Sequence, residues 1–178
     1  MASPWINVSG TFFRSIVAER QHLLLAKPRV VDCGRYHAPG QSALYMSPKA
    51  EWAQLVAIWY MQRDAQTRVL FPLHVSEAKV LDLGDETACR ILGIDGTQAD
   101  QSWRKALEEG RTPPSWGVAD AIREAGGDGL IDHSRMFQGA WHVTLFGWNE
   151  PGRPEVTCIG EGMALPAESG IAMPQTPR

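Results

Sequence analysis

The segment GRYHAPGQSALY, residues 34–45, places an arginine and a tyrosine on either side of a Pro-Gly turn. Arg35 carries a planar fork of N–H donors that suits a phosphate or pyrophosphate. Tyr45 can hold a flat cationic ring against its face. Two extended arms joined by the turn would bring them together, and strand alternation would send Arg35 and His37 to one side. An Arg35 surface ion pair and a Tyr45 packed in the core stay open as the other interpretation.

The residues that follow predict a helix over positions 47–63. Ser47 can cap its N-terminus, and Pro48 suits the first helical position. Four apolar side chains recur at helical spacing and predict the buried stripe: Trp52, Leu55, Val56 and Trp59. A helix is therefore expected directly behind the Arg35–Tyr45 segment.

Further along the chain, strand and helix patterns follow one another, which predicts one α/β (α+β) domain over residues 1–178, a mixed sheet flanked by helices. Strands are predicted at 68–75, 78–83, 128–134, 141–148 and 155–160. Pro72 places the first of these at an edge or a bulge. Helices are predicted at 85–93, 99–110 and 112–127. Asp85 and Ser115 are the predicted caps, and the helices are expected to end at Gly93, Gly110 and Gly126. In the last helix, Trp116, Ala119 and Ile122 would face the core. Residues 151–178 are rich in proline and glycine and predict mainly loops.

Composition excludes several classes of function. The net charge is −3, with 17 basic and 20 acidic residues, so the basic surface of a nucleic-acid-binding protein is not expected. No segment has the apolar length of a membrane span or the pattern of a signal peptide, which favours a cytoplasmic protein. The three cysteines are far apart and the five histidines form no HxxxH or HExxH pair, so we expect neither disulfides nor a metal.

Five stretches in this order resemble the RES-domain family: FFR, GRYHAPGQSALYMSPKAEWAQLV, VLDLGDETACRILGI, SWGVADAIREAGGDGLIDHSR and WHVTLFGWN. The resemblance covers about residues 11–150. It implies a fold related to the ADP-ribosyltransferases, NAD as the substrate, and a toxin that is paired with an antitoxin protein. It also places the family's arginine at Arg35, its tyrosine at Tyr45 and its serine at Ser134. Without the resemblance, Ser134 would be taken as a turn residue after a strand.

The family's glutamate is the position where this chain departs from the pattern. The spacing puts it at Gln54, and the nearest carboxylate is Glu51. With the predicted stripe buried, Glu51 would lie about 80° from its centre and Gln54 nearly opposite, so the sequence favours Glu51. Glu51 could instead only stabilise the helix N-terminus.

Cleavage of the nicotinamide–ribose bond of NAD is the activity that the resemblance implies, with water or phosphate as the acceptor. ADP-ribose transfer to a protein is the first alternative, and an inactive nucleotide- or antitoxin-binding module is the second. Arg35, Tyr45, Glu51 and Ser134 are the predicted catalytic residues. Five further residues are predicted to bind the nucleotide: Arg14, Tyr36, His37, Gln54 and His133.

Overall fold

In residues 3–135 and 137–166, which the computed structural model describes, seven strands form one mixed sheet and four α-helices pack around it. The strands are β1 (Ile6–Val17), β2 (Leu44–Met46), β3 (Arg68–Asp82), β4 (Gly129–His133), β5 (Trp141–Leu145), β6 (Val156–Cys158) and β7 (Met163–Ala164). The helices are α1 (Ala50–Asp64), α2 (Glu86–Ile91), α3 (Trp103–Glu108) and α4 (Pro114–Glu124), with 3-10 turns at Ala18–Leu23 and Gly96–Asp100. The architecture confirms the predicted α/β class.

The main path of the sheet runs β1-β3-β4-β5-β2, and β6 and β7 pair with β3. The β3–β4 pair is parallel, and the other pairs are antiparallel. Phe13 in β1 and Ser47 just after β2 exchange two backbone hydrogen bonds of 2.7 and 2.9 Å. The two ends of the path therefore meet, and the sheet curves back on itself.

Side chains alternate between two faces of this sheet, which we call inner and outer. The inner face carries Phe12, Leu73 and Val143 into one cluster with Trp148. The outer face packs against helices: Leu81 and Leu130 meet α2 and α4, while Phe13 and Leu70 meet α1. Tyr45 belongs to the outer face, because it lies beside the α2–α4 cluster.

β3 is one long strand, where the sequence predicted two separated at Ser76. Pro72 lies inside it rather than at an edge, since β1 pairs on one side and β6 and β7 on the other. The Pro72 carbonyl accepts a hydrogen bond from the Ile159 amide at 3.1 Å. The N–H and C=O of one strand residue point to the same side, so the N–H that proline lacks would lie between the segments that pair with β6 and β7. The long strand tolerates proline because this position needs no donor.

The start of α1 differs from the prediction. Ser47 is neither its cap nor part of it, because the Ser47 backbone pairs with β1; Lys49 takes the N-cap position without a side-chain hydrogen bond. The buried residues are Ala53, Ala57 and Ile58. The predicted stripe is therefore wrong: Trp52, Leu55, Val56 and Trp59 are half-buried.

Other helix boundaries were predicted with mixed success. Asp85 caps α2 through the amides of Thr87 and Ala88, and Gly93 follows at φ +68°, as expected. The helix predicted at 99–110 divides into a 3-10 turn and α3, because Ser102 caps a new start. α4 begins at Pro114, with Pro113 as its N-cap, so the Ser115 cap is wrong; its buried residues are Ser115, Val118, Ala119 and Ile122, with Trp116 half-buried.

The C-terminal segment is more regular than expected up to residue 166. β6 confirms the strand predicted at 155–160, and β7 is a strand that the sequence did not predict. The rest of the predicted loop segment, residues 167–178, lies outside the described residues. Within the described ranges, no helix is long and apolar enough to cross a membrane.

Candidate functional site

Helix α4 fixes the turn that carries Arg35. Three α4 side chains donate to three successive carbonyls: Trp116 Nε1 to Gly34 at 2.7 Å, Ser115 Oγ to Arg35 at 2.5 Å, and Arg123 Nη2 to Tyr36 at 2.8 Å. The Gly34 amide also donates to the His37 carbonyl at 3.0 Å, so this stretch is a tight turn and not the extended arm that we expected. The backbone of Arg35 is therefore held by the core of the protein.

The Arg35 guanidinium is half-buried and donates Nη1 to the Ala99 carbonyl at 2.9 Å. Among the described residues no carboxylate lies within ion-pair distance of it. Burial, followed by the nearby Arg135 charge, lowers its pKa from the ordinary value. Arg35 stays charged, since an arginine pKa begins far above neutral. The site therefore contains a cation that has no salt bridge to a described residue.

Asp132 and Arg135 complete a charged cluster around Arg35, although the sequence analysis assigned them no role. Arg135 contacts Asp132 at 3.2 Å and Asp100 at 2.9 Å, and it donates to the same Ala99 carbonyl as Arg35, at 2.8 Å. Burial is the largest effect and lowers the pKa of Arg135, but Asp132 and Tyr36 together raise the pKa above its ordinary value. A charged residue inside the apolar run GLID was the sequence signal for Asp132, because buried carboxylates are rare unless they are paired.

Tyr36 lies beneath this cluster and is 1% exposed. Its hydroxyl is fully buried and lies close to Asp132 and Arg135. Burial first, and the Asp132 charge second, raise its pKa well above the ordinary value. Tyr36 therefore stays neutral, and its ring forms the base of the cluster.

Tyr45 meets the Arg35 turn through its hydroxyl. This oxygen accepts from the Tyr36 amide at 3.0 Å and lies 2.9 Å from Nδ1 of His37. Burial raises the pKa of Tyr45, and burial lowers the pKa of His37 to about 4. Tyr45 thus contacts the two residues that follow Arg35, and its role as a surface for a cationic ring stays a prediction. The side chains of Tyr45 and His37 are both neutral at pH 7. The hydroxyl of Tyr45 holds the turn in place, whatever its ring does for a ligand.

Arg14 lies on the inner face, since it follows Phe12 by two residues in β1 and opposes Phe71. It donates Nη1 to the Tyr45 carbonyl at 3.2 Å, so it joins β1 to β2. Burial lowers its pKa to about 10. The structure thus separates Arg14 from the outer-face cluster around Arg35, and its contribution to ligand binding stays a prediction.

Ser134 follows β4 and begins the turn before β5. Its amide donates to the Ala140 carbonyl at 2.8 Å, and its Oγ accepts from the Phe137 amide at 3.1 Å. The adjacent residue, Arg135, shares the Ala99 carbonyl with Arg35. Ser134 therefore both shapes a turn and lies next to the charged cluster, and its catalytic role stays a prediction.

The structure changes the comparison of Glu51 with Gln54. Measured from the centre of Ala53, Ala57 and Ile58 at 100° per residue, Gln54 lies about 40° away and Glu51 about 100°. Gln54 is half-buried and Glu51 is exposed. The expected position of Glu51 nearer the buried face is wrong, because α1 buries a different face from the predicted one. Glu51 stays the predicted carboxylate as the acidic residue nearest the family position.

The start of α1 nevertheless lies at the same end of the sheet as the Ser134 turn. Ser47 Oγ lies 2.8 Å from Nδ1 of His142, the β5 residue opposite Asp132. The rings of Trp52 and Trp141 meet edge to face at 6.4 Å. Because Trp141 opposes His133 at the end of β4, the start of α1 and the Ser134 turn share one end of the sheet.

His133 lies on the other face from Asp132 and pairs with Asp82 at 3.0 Å. With Asp82, Gly84, Asp85, Glu86 and Thr87 it lines an open cavity of about 710 Å³. Three carboxylates there would repel an anionic ligand. No group of three or more potential metal ligands in the described ranges is arranged to hold a metal ion. The Arg35 cluster is therefore the better candidate site for a phosphate-bearing molecule.

The chain is similar to known proteins in sequence and in fold. A family model described as the RES domain matches residues 13–168. A chain of the crystal structure of the M. tuberculosis MbcT–MbcA toxin–antitoxin complex has a similar fold, with a TM-score of 0.63 and 16% sequence identity over 92% of this chain and 87% of that one. A search of curated protein sequences finds no match.

Proposed function

Since the chain belongs to the RES-domain family, we propose that it cleaves the nicotinamide–ribose bond of NAD and acts as the toxin of a toxin–antitoxin pair. The observation that carries this proposal is the Arg35 side chain: α4 holds its backbone, its guanidinium donates to the Ala99 carbonyl, and no carboxylate within the described ranges pairs with it. A pyrophosphate is the anion best matched to such a donor fork. NAD contains a pyrophosphate between its two nucleosides.

The chemistry of the bond fits the groups at this end of the sheet. Nicotinamide leaves as a neutral molecule from a cationic state, so the bond needs no strong acid, and the transition state resembles an oxocarbenium ion. Arg35 would hold the pyrophosphate, and Tyr45 would border the nicotinamide while holding the Arg35 turn. Glu51 would stabilise the positive charge that develops on the ribose, and Ser134 would position a ribose or amide group.

Transfer of ADP-ribose to a protein is the second candidate function, and the position of Gln54 favours it. Gln54 lies nearer the buried face of α1 than Glu51 does, and an amide cannot take a proton from water. A target protein could bring its own nucleophile and would not need that base. An inactive binding module is the third possibility, and the assay below separates the three.

The test is incubation of the purified chain with NAD, with separation of the products. Free nicotinamide with ADP-ribose indicates water as the acceptor, and a phosphorylated ADP-ribose formed only in phosphate buffer indicates phosphate. Nicotinamide released only with cell lysate, together with a labelled protein band, indicates transfer. An absence of nicotinamide in all three conditions would refute both enzymatic functions.

The proposed partner is a dedicated antitoxin protein. The similar fold occurs in a toxin–antitoxin complex, and the present chain has the net charge of −3 that argues against direct nucleic-acid binding. As an NAD-consuming protein it would act in the cytoplasm. Co-expression with the product of the neighbouring gene should restore growth of cells that the chain alone inhibits, and undiminished inhibition would argue against that partner.

A further inference from the structure

Arg104 is a further cation near Arg35. It lies in the first turn of α3, and it donates Nη2 to the Tyr60 hydroxyl at 3.0 Å. Its guanidinium lies over three aromatic rings, 4.5 Å from Trp103, 5.3 Å from Trp59 and 5.5 Å from Tyr60. These contacts hold the cation between α1 and α3 in a defined orientation.

The chain connects Arg104 to the charged cluster within a few residues. Arg35 Nη1 lies 2.9 Å from the Ala99 carbonyl and 3.5 Å from that of Gln101, directly before the Ser102 cap of α3. Arg104 follows Gln101 by three residues. The Arg104 charge contributes to the lowered pKa of Arg35, which indicates that the two cations act on each other.

The local charges do not balance. Asp100 and Asp132 both pair with Arg135. Within the described part of the chain, neither Arg35 nor Arg104 has a carboxylate at ion-pair distance. Among the residues that the structure describes, Arg35, Arg104 and Arg135 face only two carboxylates, Asp100 and Asp132, so the region keeps a net positive charge that favours an anionic ligand such as a pyrophosphate.

We propose that Arg104 is a second pyrophosphate-binding residue, which acts with Arg35 on the two phosphates of a nucleoside diphosphate group. The inference rests on the proposed function for its natural ligand, because NAD carries such a group. Arg104 holds the ligand through charge and hydrogen bonds, while Trp59, Tyr60 and Trp103 keep its guanidinium oriented. It is a binding residue and takes no part in proton transfer.

The test is calorimetric binding of ADP, AMP and adenosine to the purified full chain, because none of these ligands depends on cleavage. Wild type should bind ADP at least tenfold more tightly than AMP. Arg104→Met, which keeps an unbranched apolar stem and removes the charge, should lose that preference while Tm changes little. Arg63→Met is the matched control, since Arg63 lies 3.5 Å over the same Trp59 ring but is exposed in the last turn of α1; it should bind ADP as wild type does.

Three results would overturn the proposal. They are a wild type that does not prefer ADP to AMP, an Arg104→Met variant whose ADP affinity stays within twofold of wild type, and an equal loss for all three ligands with a lowered Tm. The last result would make Arg104 only a link between α1 and α3. NAD cleavage is measured separately, so an inactive wild type that shows the Arg104-dependent preference would refute the proposed function and not this inference.

Discussion

Replacing Tyr45 with phenylalanine separates two roles of this side chain. The ring stays available to a ligand, but the hydroxyl that joins the Tyr36 amide and the His37 ring is lost. Those two groups are 1% and 5% exposed as residues, so water cannot readily replace the missing oxygen. The change therefore acts on the turn that positions Arg35.

The expected cost follows from the two lost contacts. A buried N–H left without an acceptor costs about 1–3 kcal/mol, and the lost His37 hydrogen bond adds about 1 kcal/mol. Tyr45→Phe should thus lower the free energy of unfolding by about 2–4 kcal/mol. For a domain of this size that corresponds to a fall in Tm of roughly 4–16 °C.

Urea unfolding of Tyr45→Phe gives the stability, and nicotinamide release gives the activity. Tyr60→Phe is the control, since it removes one half-buried hydroxyl whose partner, Arg104, keeps its ring contacts, and it should cost less than about 1 kcal/mol. We expect Tyr45→Phe to raise KM for NAD more than it lowers kcat, because Arg35 loses its fixed position. Unchanged stability together with unchanged KM would refute the view that the hydroxyl holds the turn.

Three further predictions test other parts of the account. Glu51→Gln should lower nicotinamide release at least tenfold, or about 1.4 kcal/mol, and adding Gln54→Glu should restore part of it; an unchanged Glu51→Gln rate would remove Glu51 from the mechanism. His37 stays neutral in the folded protein because burial lowers its pKa to about 4. Its contribution to the free energy of unfolding is therefore complete above about pH 6.5 and should be lost, by roughly 1–2 kcal/mol, towards pH 4. Urea titrations in which the stability of His37→Asn falls as steeply as that of wild type would contradict this. Gly129→Ala would drive a methyl group into a carbonyl of β5 and should lower the free energy of unfolding by more than about 4 kcal/mol. Gly117→Ala, in open space on α4, should raise it by about 0.5–1 kcal/mol. Equal Tm values for the two variants would contradict the close approach at Gly129.

Local signals predicted the parts of the fold that depend on neighbouring residues. Asp85 and Gly93 bound α2 as their types require, and the apolar strands at the centre of the sheet were found. The buried face of α1 was predicted wrongly. The alanines of this helix allow close approach to the sheet, while its tryptophans are only half-buried. Trp59 stacks with Arg63, and Trp52 meets Trp141. Residue type alone does not show that Trp59 packs against a cation, or that Trp52 packs against another aromatic ring.

The candidate site could be predicted in part, because some of its residues are close together in the sequence. Arg35 and Tyr45 are joined by one turn, so their meeting follows from sequence distance. The charged neighbours of Arg35 come from β4, the turn after it and α3, and only the tertiary fold shows that Arg135 and Arg35 share the Ala99 carbonyl. Arg14, in contrast, was grouped with them by motif, although strand alternation puts it on the other face.

Nicotinamide release from NAD by wild type and Arg35→Lys tests the central claim most directly. Lysine keeps the positive charge but loses the planar fork that would grip a pyrophosphate. We predict steady release by wild type, a rate at least tenfold lower for Arg35→Lys, and a wild-type rate for the exposed Arg63→Lys control. Equal rates for wild type and Arg35→Lys would contradict the assignment of Arg35 as the residue that binds NAD.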